Sequence, residues 1–132
     1  MRELAERAVA CKHWRWMPGM ALCYGAFRVL SEEENREHTI YGPDGEGDYE
    51  VIAADIYRML PDLTDPATLG CLLALVRDAW EPHRGDDSIP STMQIGDKWA
   101  VGTTAHSTLA CIVLPAFDTE VEALVAALEA AP

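Results

Sequence analysis

The stretch Leu63–Trp80, "LTDPATLGCLLALVRDAW", predicts the central helix of this 132-residue chain. Asp65 is a good N-cap residue, and Pro66 falls at the first helical position, where its missing N–H costs nothing. Large apolar residues then follow at helical spacing: Leu69, Leu72, Leu73, Val76 and Trp80. The other sides of this helix are apolar too, so we expect it to be buried on more than one side.

Two more helices are predicted near the ends of the chain. Residues 2–11 carry an apolar stripe of Leu4, Ala5, Ala8 and Val9, and this helix cannot continue past Pro18-Gly19. In "TEVEALVAALEAA", which starts at Thr119, the T-x-x-E spacing predicts a capping box with Glu122. One face of that last helix carries Val121, Leu124, Val125 and Leu128.

Strand signals lie between the helices. Residues 20–30 predict a strand and residues 36–41 its antiparallel partner, while 98–104 and 107–114 predict a hairpin around Ala105-His106. The segments 42–48 and 81–91 have the composition of loops. Residues 49–60 fit a helix or a strand equally well. The order α-β-β-(?)-α-β-β-α predicts an α+β fold with an antiparallel sheet and helices packed on one face, and the length predicts a single domain over 1–132.

The net charge of −12 is the unusual bulk property of this chain. It disfavours direct binding to nucleic acid or to an anionic membrane, because both would add charge repulsion. It is compatible with charge-based solubility or with a basic protein partner. The four cysteines lack metal-ribbon or C-x-x-C spacing and lie among apolar neighbours, which indicates a reducing, intracellular compartment. The start of the chain does not read as a signal peptide, and no apolar run is long enough to span a bilayer.

Motifs for catalysis or metal binding are weak. The histidines are scattered, and no cysteine or serine stands in a setting that activates a nucleophile, so we predict no catalytic residue and no cofactor. The acids of "DGEGDYE" (44–50) alternate as in a calcium loop, but the length and the terminal glutamate of such a loop are missing. We therefore predict no metal site.

Three segments resemble a group of small uncharacterised proteins encoded by tailed bacteriophages and prophages. They are "RAVACKHWRWMPGM", "LPDLTDPATLGCLLALVRDAW" and "DTEVEALVAALEAAP", which cover about 50 of the 132 residues in the same order. The resemblance implies a phage or mobile-element origin and the cytoplasm of a bacterial host cell, but no chemistry. The acidic stretch 31–50 lies outside it.

Charge is distributed unevenly along the chain. Residues 1–30 have a balance of +3, residues 31–50 a balance of −7, and the remainder −8. The middle segment combines Arg36 with eight acids: Glu32, Glu33, Glu34, Glu37, Asp44, Glu46, Asp48 and Glu50. If 27–41 is a hairpin, its turn and the following loop form an anionic edge. That edge is either a solvated rim that protects an edge strand from aggregation, or a surface that imitates a phosphate backbone and binds a Lys/Arg groove of another protein.

Trp14 and Trp16 lie in the basic segment "CKHWRWMPGM" (11–20). They either cover the core where the first helix ends, anchor a protein partner, or stack on bases. The first alternative requires no ligand, and the net charge speaks against the third.

These observations favour a non-enzymatic protein that binds another protein with a basic surface. Its sharpest form is an acidic inhibitor of a host defence or nucleic-acid-handling system such as a CRISPR effector, with the eight acids as contact residues and Trp14 and Trp16 as anchors. The alternative is a small-ligand-binding or enzymatic domain with a pocket near Cys71, Trp80 and Trp99. A third possibility is self-association, as a homodimer, through the apolar central helix.

Overall fold

A computed structural model describes residues 1–23, 27–32, 38–41, 48–51, 59–81, 89–105, 108–111 and 116–132. Contacts between residues group the chain into two compact units. The first comprises Met1–Val9 and Arg15–Cys71, and the second comprises Ala10–Trp14 and Leu72–Pro132. The prediction of a single domain from chain length stays a prediction.

The first helix, α1 (Arg2–Ala10), has the predicted amphipathic pattern. Leu4, Ala5 and Ala8 are buried, whereas Arg2 and Glu6 form an exposed i,i+4 ion pair of 3.0 Å on the other side. The 3.6-residue period of the sequence is therefore the period of burial in the structure.

Three short strands form an antiparallel sheet in the first unit: β1 (Arg28–Glu32), β2 (His38–Tyr41) and β3 (Asp48–Val51). The predicted antiparallel pairing with 36–41 is confirmed where β1 meets β2. The predicted single strand over 20–30 is wrong, because β1 starts at Arg28 and residues 20–22 pair back onto 27–29. The register shifts between Val29 and Ser31, which leaves one extra residue in β1. The stretch 49–60, which fits both helix and strand, begins as strand β3; residues 52–58 lie outside the described residues.

Two short segments extend this ladder beyond β1. The N–H of Leu22 donates to the carbonyl of Phe27 (2.9 Å), and Ala21 forms a bridge with Arg28. On the opposite side, the N–H of Cys23 donates to Leu60 O (2.9 Å), and Leu22 forms a bridge with Pro61. Residues 20–23 are therefore held between β1 and the segment that leads into the central helix.

The central helix, α2 (Pro66–Trp80), begins where the sequence predicts. Asp65 Oδ2 accepts a hydrogen bond from Thr68 N (2.9 Å), as an N-cap residue does. One stripe of the helix is buried: Thr68, Leu72, Leu75, Val76 and Ala79. Leu69 and Leu73 are half-buried, so the expectation of burial on several sides is met only in part.

A second antiparallel sheet lies in the second unit: β4 (Pro90–Ile95), β5 (Lys98–Ala105) and β6 (Thr108–Cys111). The predicted hairpin around Ala105-His106 is confirmed as β5 and β6. The predicted loop 81–91 is wrong at its end, because β4 starts at Pro90 and pairs with β5 from Pro90 to Ile95. The first residue of the two-residue turn that joins them, Gly96, has φ +67, as the preferred hairpin turns require.

The last helix, α3 (Glu120–Glu129), has the predicted capping box. Thr119 Oγ1 accepts from Glu122 N, and the Glu122 carboxylate accepts from Thr119 N at 3.0 Å. The helix packs on β5 and β4, where Thr92 Oγ1 donates to Glu120 Oε1 (2.6 Å). Trp80 Nε1 donates to Ala127 O (2.9 Å) near the other end.

The predicted α+β class with antiparallel strands is confirmed. Among the described residues the strands form two three-stranded sheets rather than one. Two strands account for this difference: β3 comes from the ambiguous stretch, and β4 from a stretch whose proline and serine suggested a loop.

Candidate functional site

Trp14 and Trp16, the two tryptophans of the basic segment 11–20, are buried. The exposed fraction is 9% for Trp14 and 1% for Trp16. A side chain with this little exposure offers no face on which a base could stack or a partner could rest. Of the three alternatives drawn from the sequence, the structure favours core packing.

Two residues of the same segment, Cys11 and His13, contact the C-terminal end of the chain. Cys11 Sγ donates to Leu128 O (3.2 Å), a carbonyl in the last turn of α3, and His13 Nε2 donates to Pro132 O (3.1 Å). These contacts tie the segment to the last turn of α3 and to the residues that follow it. The segment "CKHWRWMPGM" therefore forms a structural corner.

An ion pair that the sequence analysis missed fixes the start of β1. Arg28 donates from Nη1 and Nη2 to the two carboxylate oxygens of Asp65 (3.0 and 2.6 Å), and Nη1 also reaches Gly19 O (3.0 Å). The sequence feature that could have indicated this ion pair is Arg28 itself, a charged residue within the apolar segment "FRVL" (27–30). Because Asp65 also caps α2, its ion pair with Arg28 joins β1, the Pro-Gly turn and the start of α2.

Asp65 and Thr68 complete this network. Thr68 is fully buried; its hydroxyl donates to Asp65 Oδ2 (3.1 Å) and accepts from Ala21 N (2.8 Å). The Arg28 guanidinium, with the two Thr68 donors, holds the pKa of Asp65 well below its usual range. The same hydrogen bonds raise the pKa of Arg28, so both groups stay charged across the physiological range.

Three of the eight predicted acidic contact positions fall within the described residues, and all three lie on outer strands of the first sheet. Glu32 ends β1, and Asp48 and Glu50 belong to β3. Between them, β2 (His38–Tyr41) contains no acid. Glu33, Glu34, Glu37, Asp44 and Glu46 lie outside the described residues.

The strand register shows which described residues stand at the two ends of β2. Glu32 pairs with His38, and the connection 33–37 joins these two residues. Tyr41 pairs with Asp48 at the other end of β2, where the connection 42–47 begins and ends. Because strands of a meander alternate in direction, the two connections leave β2 at its opposite ends. The anionic edge stays a prediction.

The described thiols do not have the properties of nucleophiles. Cys11, Cys23 and Cys71 are free; Cys23 is exposed and the other two are half-buried. Burial raises the pKa of Cys23 and of Cys71, helped by Asp62 and Asp65 respectively, so both thiols are protonated at neutral pH. Within the described ranges, no cluster of three or more His, Cys, Asp or Glu side chains is placed to hold a metal ion.

In the part of the chain that the structure describes, no helix combines the length and the apolar character that crossing a membrane requires. Comparisons with protein-family models, with curated proteins and with solved structures find no match.

Proposed function

We propose that this chain is a small accessory protein of phage or mobile-element origin that acts in the bacterial cytoplasm by binding a basic surface of another protein. The carboxylates of residues 31–50 form the contact surface. Its partner belongs to a host system that handles nucleic acid, such as a CRISPR effector or a nuclease, and the acidic protein occupies the groove in which that partner holds nucleic acid.

The observation that carries this proposal is the concentration of charge in one segment. Eight acids stand against one arginine between residues 31 and 50, whereas the thirty residues before them have a balance of +3. Glu32 and Glu50 lie on outer strands that flank β2, so their Cα atoms are roughly 10 Å apart at the usual strand spacing. The fold therefore places these two acids on the opposite edge strands of a short sheet.

The burial of Trp14 and Trp16 changes the contact residues within this proposal. Neither indole is available as an anchor at the surface in this structure, so the carboxylates supply the contact by themselves. An interface made of exposed charges gains most through fast association, and its affinity falls as salt screens the charges.

The test is a displacement experiment with purified proteins. A labelled DNA duplex is bound to each of a panel of CRISPR effectors and nucleases, and this chain is added at 50 and at 200 mM NaCl. We expect displacement from at least one of these proteins, with lower affinity at the higher salt. Changing Glu32, Glu33, Glu34 and Glu37 to Gln removes four surface pairs worth about 1–4 kcal/mol together, and weakens displacement by about fivefold or more.

A matched variant separates the site from net charge. Neutralising the exposed Glu3, Asp78, Asp97 and Glu129 changes the formal charge of −12 by the same four units. We expect it to displace DNA within twofold of the wild type. The proposal is wrong if both variants lose the same affinity. It is also wrong if no protein in the panel releases its DNA and a low-salt pull-down from host lysate captures no basic protein.

A further inference from the structure

A cavity of about 190 Å³ lies in the first unit, where α1 begins and where the chain approaches α2. Its lining residues are Met1, Arg2, Cys23, Leu60, Pro61, Asp62, Leu63 and Thr64. The sequence had suggested a pocket near Cys71, Trp80 and Trp99, and none of these three lines this cavity.

The floor of the cavity is held by main-chain hydrogen bonds. Cys23 N donates to Leu60 O (2.9 Å), and Asp62 N donates to Ala21 O (2.8 Å), so two lining segments are fixed to each other. Asp62 Oδ1 also accepts from Thr64 N (2.9 Å) and Thr64 Oγ1 (2.6 Å), which closes the turn before α2. Main-chain hydrogen bonds therefore fix the relative positions of residues 21–23 and 60–64 at the cavity.

The lining combines apolar walls with polar groups that already have partners. Leu60, Pro61 and Leu63 supply aliphatic surface, and the Cys23 thiol donates to Pro61 O at 3.0 Å. Arg2 is paired with Glu6, and Asp62 with Thr64. A charged ligand would have to compete with these internal pairs, whereas a neutral one would not.

We propose that this cavity binds a small, uncharged and mainly apolar organic molecule about the size of one aromatic ring. The site is partly open to solvent, and its volume is close to the roughly 150 Å³ of a buried apolar cavity that binds benzene, so one aromatic ring fits. It lies below the roughly 300 Å³ at which pockets for larger ligands begin. The proposal does not depend on the acidic contact surface.

Cys23 reports on occupancy because its thiol lies in the wall of the cavity and is exposed. Iodoacetamide alkylation at pH 8.5 is followed residue by residue by mass spectrometry, with Cys71 as the internal reference. We expect benzyl alcohol or indole at millimolar concentration to slow alkylation of Cys23 at least threefold and to leave the rate at Cys71 unchanged. Benzoate and benzylammonium, matched in size but charged, should protect Cys23 far less.

Two further measurements keep the test decisive. Leu60→Phe fills the cavity and should abolish protection, whereas Leu69→Phe, which changes a half-buried leucine away from the lining, should keep it; circular dichroism checks that both variants fold. In the wild type, 4-biphenylmethanol should protect less than benzyl alcohol because it exceeds the cavity. Equal effects of neutral and charged compounds, or protection that survives in a folded Leu60→Phe variant, would overturn the proposal.

Discussion

Asp65 accepts hydrogen bonds from two parts of the first unit. Its carboxylate caps α2 through Thr68 N and also receives both terminal nitrogens of Arg28. The side chain of Asp65 is 12% exposed, whereas that of Arg28 is 43% exposed. Because the acid is the more buried partner, its loss should cost more than the loss of an ordinary surface ion pair.

We expect Asp65→Ala to lower the free energy of unfolding by roughly 2–4 kcal/mol, because the cap and a charge-assisted pair are lost together. Asp65→Ser keeps a capping oxygen and should cost less than Asp65→Ala. Urea unfolding followed by tryptophan fluorescence measures both. Asp97→Ala, which removes an exposed acid from the β4–β5 turn, should stay within about 0.5 kcal/mol of the wild type.

The pH dependence of this cost has a definite sign. The pKa of Asp65 is lowered in the folded state, so its stabilisation is complete above the unfolded pKa of about 3.9 and is lost as the pH falls below it. The difference between wild type and Asp65→Ala should therefore be constant from pH 5 to 7 and shrink below pH 4. A difference that grows on acidification would contradict the assigned hydrogen bonds.

The residue types of Trp14 and Trp16 do not by themselves decide whether these side chains bind a ligand or pack in the core. Indoles beside Lys and Arg suit a stacking platform, an anchor or a core, and the sequence ranks these alternatives without deciding among them. The burial of the two rings in the structure decides in favour of the core. Burial depends on which distant residues cover each ring, so the sequence does not show it.

At the scale of the element, local signals worked well where one residue controls one backbone group. The capping box of α3 and the Asp65-Pro66 start of α2 are short-range hydrogen-bonding effects, and both were predicted. The strand β4 was missed because "PST" carries little strand propensity. It pairs with Thr103 to Lys98 of β5 as a hairpin, so the local strand propensity and not the distance along the chain hid this strand.

Two glycines should respond to alanine with opposite signs. Gly19 has φ +95 in the turn before β1, so Gly19→Ala should cost about 1–2 kcal/mol. Gly70 is exposed within α2 and a Cβ there meets nothing within 4 Å, so Gly70→Ala should add about 0.5–1 kcal/mol. Thermal unfolding of both variants tests this, since an added Cβ is the same in each. Changes of the same sign would mean that one of the two backbones differs from the structure.

At the scale of the whole molecule, the net charge of −12 sets a self-repulsion that the folded state has to tolerate. Salt shortens the range of this repulsion, to about 10 Å at 0.1 M. We therefore expect the thermal midpoint to rise by several degrees between 20 and 300 mM NaCl, where about 1 kcal/mol corresponds to roughly 4 °C for a chain of 132 residues.

The variant with Glu32, Glu33, Glu34 and Glu37 changed to Gln provides the control for this effect. It should have a higher midpoint than the wild type at 20 mM NaCl and a smaller rise with salt. A midpoint that falls as salt is added would show that attractive pairs such as Arg28–Asp65 outweigh the repulsion.

The sequence by itself determined the α+β class, the three helices described here with two of their caps, the hairpin of β5 and β6, the pairing of β1 with β2 and the position of the acidic segment. These follow from periodicity, capping and turn chemistry, which act over a few residues. Tertiary structure decided the burial of both tryptophans, the division of strands into two sheets, the Arg28–Asp65 pair and the cavity beside Cys23. Each of these joins residues far apart in the chain, and no local pattern specifies which distant segments meet.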